Sequence, residues 1–115
     1  MRNVDIAPSL VPSETVYLVL DDFGKLGQSY RETDPKAADI ENVIDDFLTG
    51  QFAKPVRVIA FNTAEGWSLD VSESISWEVL KRSVSKGMPL PDSTRQFVIF
   101  HLGENDTLRA ENAVL

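Results

Sequence analysis

The chain has 115 residues, with 18 acidic and 11 basic side chains, a formal charge of −7 and no cysteine. That length suits one domain, and 43% hydrophobic content is too high for a wholly disordered chain. Lack of cysteine excludes disulfides, thiolate metal sites and thiol nucleophiles, and the acidic balance argues against binding a nucleic-acid phosphate backbone.

No apolar run approaches the ~20 residues of a membrane span, and the first residues lack a basic-then-apolar signal pattern. The expectation is a soluble, cytoplasmic protein without membrane contact. Residues 1–15 contain Pro8 and Pro12 and no apolar periodicity, so they read as a flexible N-terminal tail. Residues 103–115 open with Gly103-Glu104-Asn105-Asp106 and read as a flexible C-terminal tail. Residues 16–102 form the expected single domain, with nine bases and thirteen acids.

Val16-Tyr17-Leu18-Val19-Leu20 is an apolar run rich in β-formers, ended by Asp21-Asp22-Phe23-Gly24. It predicts a strand buried on both faces, because an exposed face would show alternating polar residues. Gly24 and Gly27 bracket a tight connection, from which Gln28–Thr33 is expected to return as a polar edge strand carrying Arg31 and Glu32. Asp34-Pro35 then supplies an N-cap and a proline suited to the first helical position. Ile40, Val43, Ile44, Phe47 and Leu48 follow at spacings of three and four, which places them on one helical face, and Gly50 ends the helix.

Pro55 precedes a second apolar strand, Val56-Arg57-Val58-Ile59-Ala60-Phe61. Strand, helix and strand in this order favour a parallel pair with a right-handed crossover. Asn62–Ser68 reads as a polar loop. Asp70 and Glu73 resemble a capping box opening a second helix, which packs through Val71, Ile75, Leu80 and Val84 with Trp77 alongside and ends at Gly87. Beyond Pro89 and Pro91, Ser93 and Gln96 offer another capping box. Gln96–Leu102 fits both helical and strand periods, and a short helix is preferred. The expected class is α+β, in the order β-β-α-β-α-α. It comprises about three strands, with a parallel central pair and one antiparallel hairpin edge, packed with two or three helices.

In a parallel pair both strands end at one edge of the sheet. That edge would gather Asp21 and Asp22 with Asn62, Thr63, Glu65, Trp67 and Ser68, and ligands of α/β sheets favour the crevice beyond the carboxyl ends of strands. These seven residues are the candidate ligand or partner surface. The plainer reading has the two aspartates ending a strand, Gly66 making a turn and Trp67 filling the core margin. Asp21, Asp22 and Glu65 are hard oxygen donors that suit magnesium or calcium, but adjacent aspartates on a strand point to opposite faces. No metal site and no cofactor is therefore assigned.

Ser83-Val84-Ser85-Lys86 matches S-x-x-K without the partner motifs of that enzyme class. Gly24-Lys25-Leu26-Gly27 has the G-x-x-G form of nucleic-acid clamps, yet it follows a strand, whereas those clamps join helices. His101 is the sole histidine and reads as interfacial rather than catalytic. No catalytic residue is assigned.

Two stretches, Val16-Tyr17-Leu18-Val19-Leu20-Asp21-Asp22-Phe23-Gly24 and Pro55-Val56-Arg57-Val58-Ile59-Ala60-Phe61-Asn62-Thr63-Ala64-Glu65-Gly66-Trp67-Ser68, carry a resemblance, supported by Arg31-Glu32-Thr33-Asp34 and Asp70-Val71-Ser72. Over about residues 16–102 the chain resembles a family of small hypothetical proteins from alphaproteobacteria. The resemblance implies a bacterial cytoplasmic origin and brings no catalytic residues. The expected function is a non-enzymatic binding or interaction module whose partner is another protein. The alternative is a small hydrolase or transferase using Asp22 or Glu65 as a base, with magnesium.

Overall fold

The computed structural model describes residues 15–22, 27–30 and 39–112. The architecture is α+β. Four strands, β1 (Thr15–Asp22), β2 (Gln28–Tyr30), β3 (Pro55–Asn62) and β4 (Trp67–Asp70), form one sheet in the order β2-β1-β3-β4. Four helices accompany it among the described residues: α1 (Ile40–Leu48), α2 (Ser72–Lys86), α3 (Asp92–Leu102) and α4 (Glu104–Asn112).

Every strand pair is antiparallel, which corrects the expected parallel centre. The β1–β2 hairpin has already turned the chain back before α1 begins. The helix therefore returns the chain to the end where β1 finishes, and β3 starts beside Asp21 and runs down. Asp21 fixes this junction. Its buried carboxylate accepts the Lys54 N–H at 2.7 Å and the Ala53 N–H at 3.1 Å, and the Asp22 N–H donates to the Lys54 carbonyl at 3.0 Å.

The strand count also exceeds the expected three. Trp67–Asp70, read as loop and helix opening, is a fourth strand in register with β3. A short edge strand with all four residues exposed carries no apolar run to announce it.

Alternation divides the sheet into two faces. Tyr17, Val19 and Val58 face the helices and join the core. Val16, Leu18, Leu20, Ile59 and Phe61 share the other face, half-buried, and none belongs to that core. The expected burial of β1 on both faces therefore holds for the helix side alone.

Helix α1 contributes Val43, Ile44, Phe47 and Leu48 to the core, as its periodicity predicts. Its start differs from the expectation. Asp39 is the N-cap, its carboxylate accepting the Asn42 N–H at 2.9 Å, while Asp34 and Pro35 lie outside the described residues. Gly50, at φ +71°, ends the helix with reciprocal bonds: its N–H donates to Phe47 and the Gln51 N–H to Asp46. A Cβ there would sit 3.1 Å from Pro91, so both backbone conformation and close approach call for glycine.

Helix α2 buries Ile75, Val79 and Leu80 with Ser72, Ser76 and Ser83, and leaves Trp77 exposed. No capping box opens it. Asp70 instead accepts the Ser72 N–H and hydroxyl at 2.9 and 2.6 Å, and the same hydroxyl accepts the Val58 N–H at 2.8 Å. Helix α3 settles the ambiguity over 96–102 in favour of a helix, again without a capping box, because the Ser93 hydroxyl donates to the Phe52 carbonyl at 3.0 Å. Thr94 donates to the Phe47 carbonyl at 2.6 Å, adding a second bond to the acceptor that the Gly50 N–H already uses at the end of α1. Phe47 packs against Phe52 and Phe97 with ring centroids 4.8 and 4.7 Å apart.

Residues 104–112, expected as tail, form α4 against α2 and α3. Thr107 is buried, Ala110 packs on the core, and Arg95 binds Glu111 at 3.0 Å. Thr15, assigned to the N-terminal tail, opens β1, and residues 1–14 lie outside the described part.

Candidate functional site

The antiparallel register separates the seven residues that a parallel pair would have gathered. Asp21 sits opposite Pro55, whereas Asn62 sits opposite Thr15 at the other end of β1. Seven strand steps put the two groups on the order of 20 Å apart.

At the Asn62 end, the loop satisfies itself. The Asn62 side chain accepts the Glu65 N–H at 2.8 Å and donates to the Thr15 hydroxyl at 3.2 Å, and Glu65 accepts the Trp67 indole N–H at 2.9 Å. Asn62, Thr63, Trp67 and Ser68 border an open hollow of about 560 Å³. Glu65 is therefore held by an indole at one end of the sheet, and Asp21 is spent on two backbone amides at the other. The three carboxylates considered for magnesium do not converge, and among the described residues no group of three histidine or acidic side chains is placed to hold a metal.

At the Asp22 end lies a larger groove of about 770 Å³, between the start of β3 and helix α3. Its origin is a break in the ladder. Leu20 pairs with Arg57 and Asp21 with Pro55, so Val56 is an extra residue opposite no β1 partner. Such a bulge turns its residue out of the regular ladder. The Val56 carbonyl is taken up by His101, whose Nε2–H donates to it at 2.8 Å. The imidazole is thereby clamped to β3 and contacts two rings, tilted against Phe97 at 4.5 Å and edge-on to Phe100 at 5.0 Å between centroids.

Pro55, Val56, Phe97 and Phe100 line the groove, and Lys54, Asp22, Asp92 and Gln96 contribute polar groups. Phe97 is buried, but Phe100, one helical turn on, is 79% exposed. An aromatic left in water on the lip of an apolar groove is the kind of feature that marks a contact surface. Asp22 is the single sequence candidate that this groove includes. Val56, Gln96, Phe100 and His101 were not singled out as site residues. One signal for them existed, since Phe97-Val98-Ile99-Phe100 carries more apolar residues than one helical face can bury.

Two other charged features bound the chemistry. The Asp70 carboxyl is pushed up by burial, yet the hydrogen bonds from Ser72 and the charges of Arg57 and His101 bring it below the ordinary range. Arg82 binds Glu41 of α1 at 2.7 Å and Glu78 of its own helix at 2.9 Å, and holds both carboxyls low through those bonds. Arg82, in the second half of α2, is thus tied up by acids of the same chain.

No helix among the described residues is long and apolar enough to cross a membrane. Compared with protein-family models, curated proteins and solved structures, the chain matches none.

Proposed function

We propose that this protein is a non-enzymatic binding module of the bacterial cytoplasm, and that the groove between α3 and the start of β3 receives an apolar side chain of a partner polypeptide. The observation carrying this reading is Phe100, 79% exposed on the lip of a groove lined by Pro55, Val56 and Phe97. Burying such a ring on association removes a large apolar area from water, and aromatics of this kind dominate interface energetics. Lys54, Asp22 and Asp92 supply charges of both signs around it, which suits a peptide carrying its own polar backbone. The cytoplasmic, bacterial setting rests on the resemblance described above.

The test uses a pool of short synthetic peptides, each with one central Leu, Phe or Trp, titrated into isotopically labelled protein. Saturable amide shifts at Val56, Gln96, Phe100 and His101 are expected, and Phe100→Ser should abolish them while leaving the rest of the spectrum intact. Titrations without saturable shifts at these four positions, or with shifts unaffected by Phe100→Ser, overturn the reading.

A further inference from the structure

Strand β4 lies at the sheet edge and leaves two large apolar side chains in water, Trp67 at 40% and Leu69 at 60% exposure. Being two apart, they share one face of the strand. The ladder phase shows what its outer side offers. The Val71 N–H donates to the Val58 carbonyl at 2.9 Å, and Leu69 and Trp67 face Ala60 and Asn62 two and four residues back in the same phase. Backbone groups of 67 and 69 therefore point at β3, and those of Ser68 and Asp70 point to the open edge.

We propose that this edge pairs with β4 of a second copy of the chain, antiparallel and centred on Ser68, joining two sheets into one. In that register Ser68 meets the partner's Ser68 as a hydrogen-bonded pair exchanging two N–H···O bonds. Trp67 meets the partner's Leu69, and Leu69 the partner's Trp67, at the closer non-hydrogen-bonded positions. Asp70 meets the partner's Gly66, which has no side chain to clash. Centring on Leu69 instead would leave Trp67 opposite Val71, outside the strand. The apolar–polar–apolar order Trp67-Ser68-Leu69 thus matches its own reverse, and one strand covers both exposed side chains of the other.

The flanking acids do not oppose this pairing directly. Glu65 is turned to the Trp67 indole N–H, and Asp70 to the Ser72 N–H and hydroxyl. General repulsion between two chains of charge −7 persists, and salt screens it, so association strengthens as ionic strength rises. A four-residue strand makes an interface below standard size, so the dimer is weak and fills at high protein concentration.

The test is sedimentation equilibrium of the full chain from micromolar to millimolar concentration, with amide hydrogen exchange followed in parallel. A monomer–dimer equilibrium is expected, in which the Ser68 and Asp70 amides gain protection with concentration and the Leu69 amide does not. Ser68→Pro removes an N–H that the ladder phase turns away from β3, and Leu69→Asp sets a carboxylate against the partner's indole. Each should weaken association roughly tenfold or more. Phe100→Ser should leave the association unchanged, which separates this interface from the groove. A chain monomeric at millimolar concentration overturns the proposal. So does a dimer indifferent to both β4 variants, or protection confined to other amides in the unaltered chain.

Discussion

Asp21 and Ser76 are both buried polar residues of the same core, and they differ in what their oxygens meet. The Asp21 carboxylate accepts two backbone N–H groups from the chain segment that leads into β3. Charge-assisted bonds of this kind are stronger than neutral ones, and losing them strands the donors. Asp21→Ala should cost about 3 kcal/mol in urea denaturation, with Asp21→Asn costing less because one acceptor survives. The Ser76 hydroxyl, by contrast, is buried without a hydrogen-bond partner among the described residues. Ser76→Ala removes that desolvation penalty in mid-helix, and should raise stability by about 1 kcal/mol in the same measurement. A destabilised alanine variant would show that the hydroxyl has a partner after all. The sequence places Ser76 within the second helix and Asp21 at the end of the first strand, but their opposite signs depend on neighbours supplied by other parts of the chain.

Among the described residues, the most developed ion-pair link between elements is the Glu41–Arg82–Glu78 cluster joining α1 to α2. Arg82 holds both carboxyls below their ordinary value near 4.5, chiefly through its hydrogen bonds, and Lys81 lowers Glu78 further. A carboxyl depressed in the folded state adds stability that is present above its unfolded value and disappears as pH falls through the folded one. Arg82→Met should therefore lower the melting temperature at neutral pH, and its gap from the unaltered protein should close as pH drops below about 4.5. Melting curves across pH 7 to pH 2 check this, and a gap constant with pH would assign the loss to packing. Helix α1 was legible from its periodicity, because its apolar stripe is a local pattern. Its partner across the ion pair was not, since Glu41 and Arg82 are 41 residues apart.

At the scale of the whole molecule, the helix layer is completed by a segment whose sequence looks like a tail. Helix α4 is polar overall, but it buries Thr107, packs Ala110 on the core and anchors Glu111 to Arg95 of α3. Deleting residues 103–115 should lower stability by on the order of 2 kcal/mol, read from the urea midpoint. A true tail would be removed without effect.

The amino-acid sequence by itself determined the α+β class, the β1 and β3 strands, the core face of α1 and the helical tendency at its end. Periodicity, β-forming runs and glycine stops act within a few residues, and so can be read along the chain. Tertiary structure alone decided the direction of β3, the fourth strand, the docking of α4 and the place of the groove. The physical reason is that each depends on long-range pairing. Once the β1–β2 hairpin had reversed the chain, Asp21 could bind the amides of 53 and 54, and β3 ran antiparallel. That single reversal sent Asp22 to one end of the sheet and Asn62 to the other, and the bulge at Val56 brought His101 and Phe100 beside Asp22 instead.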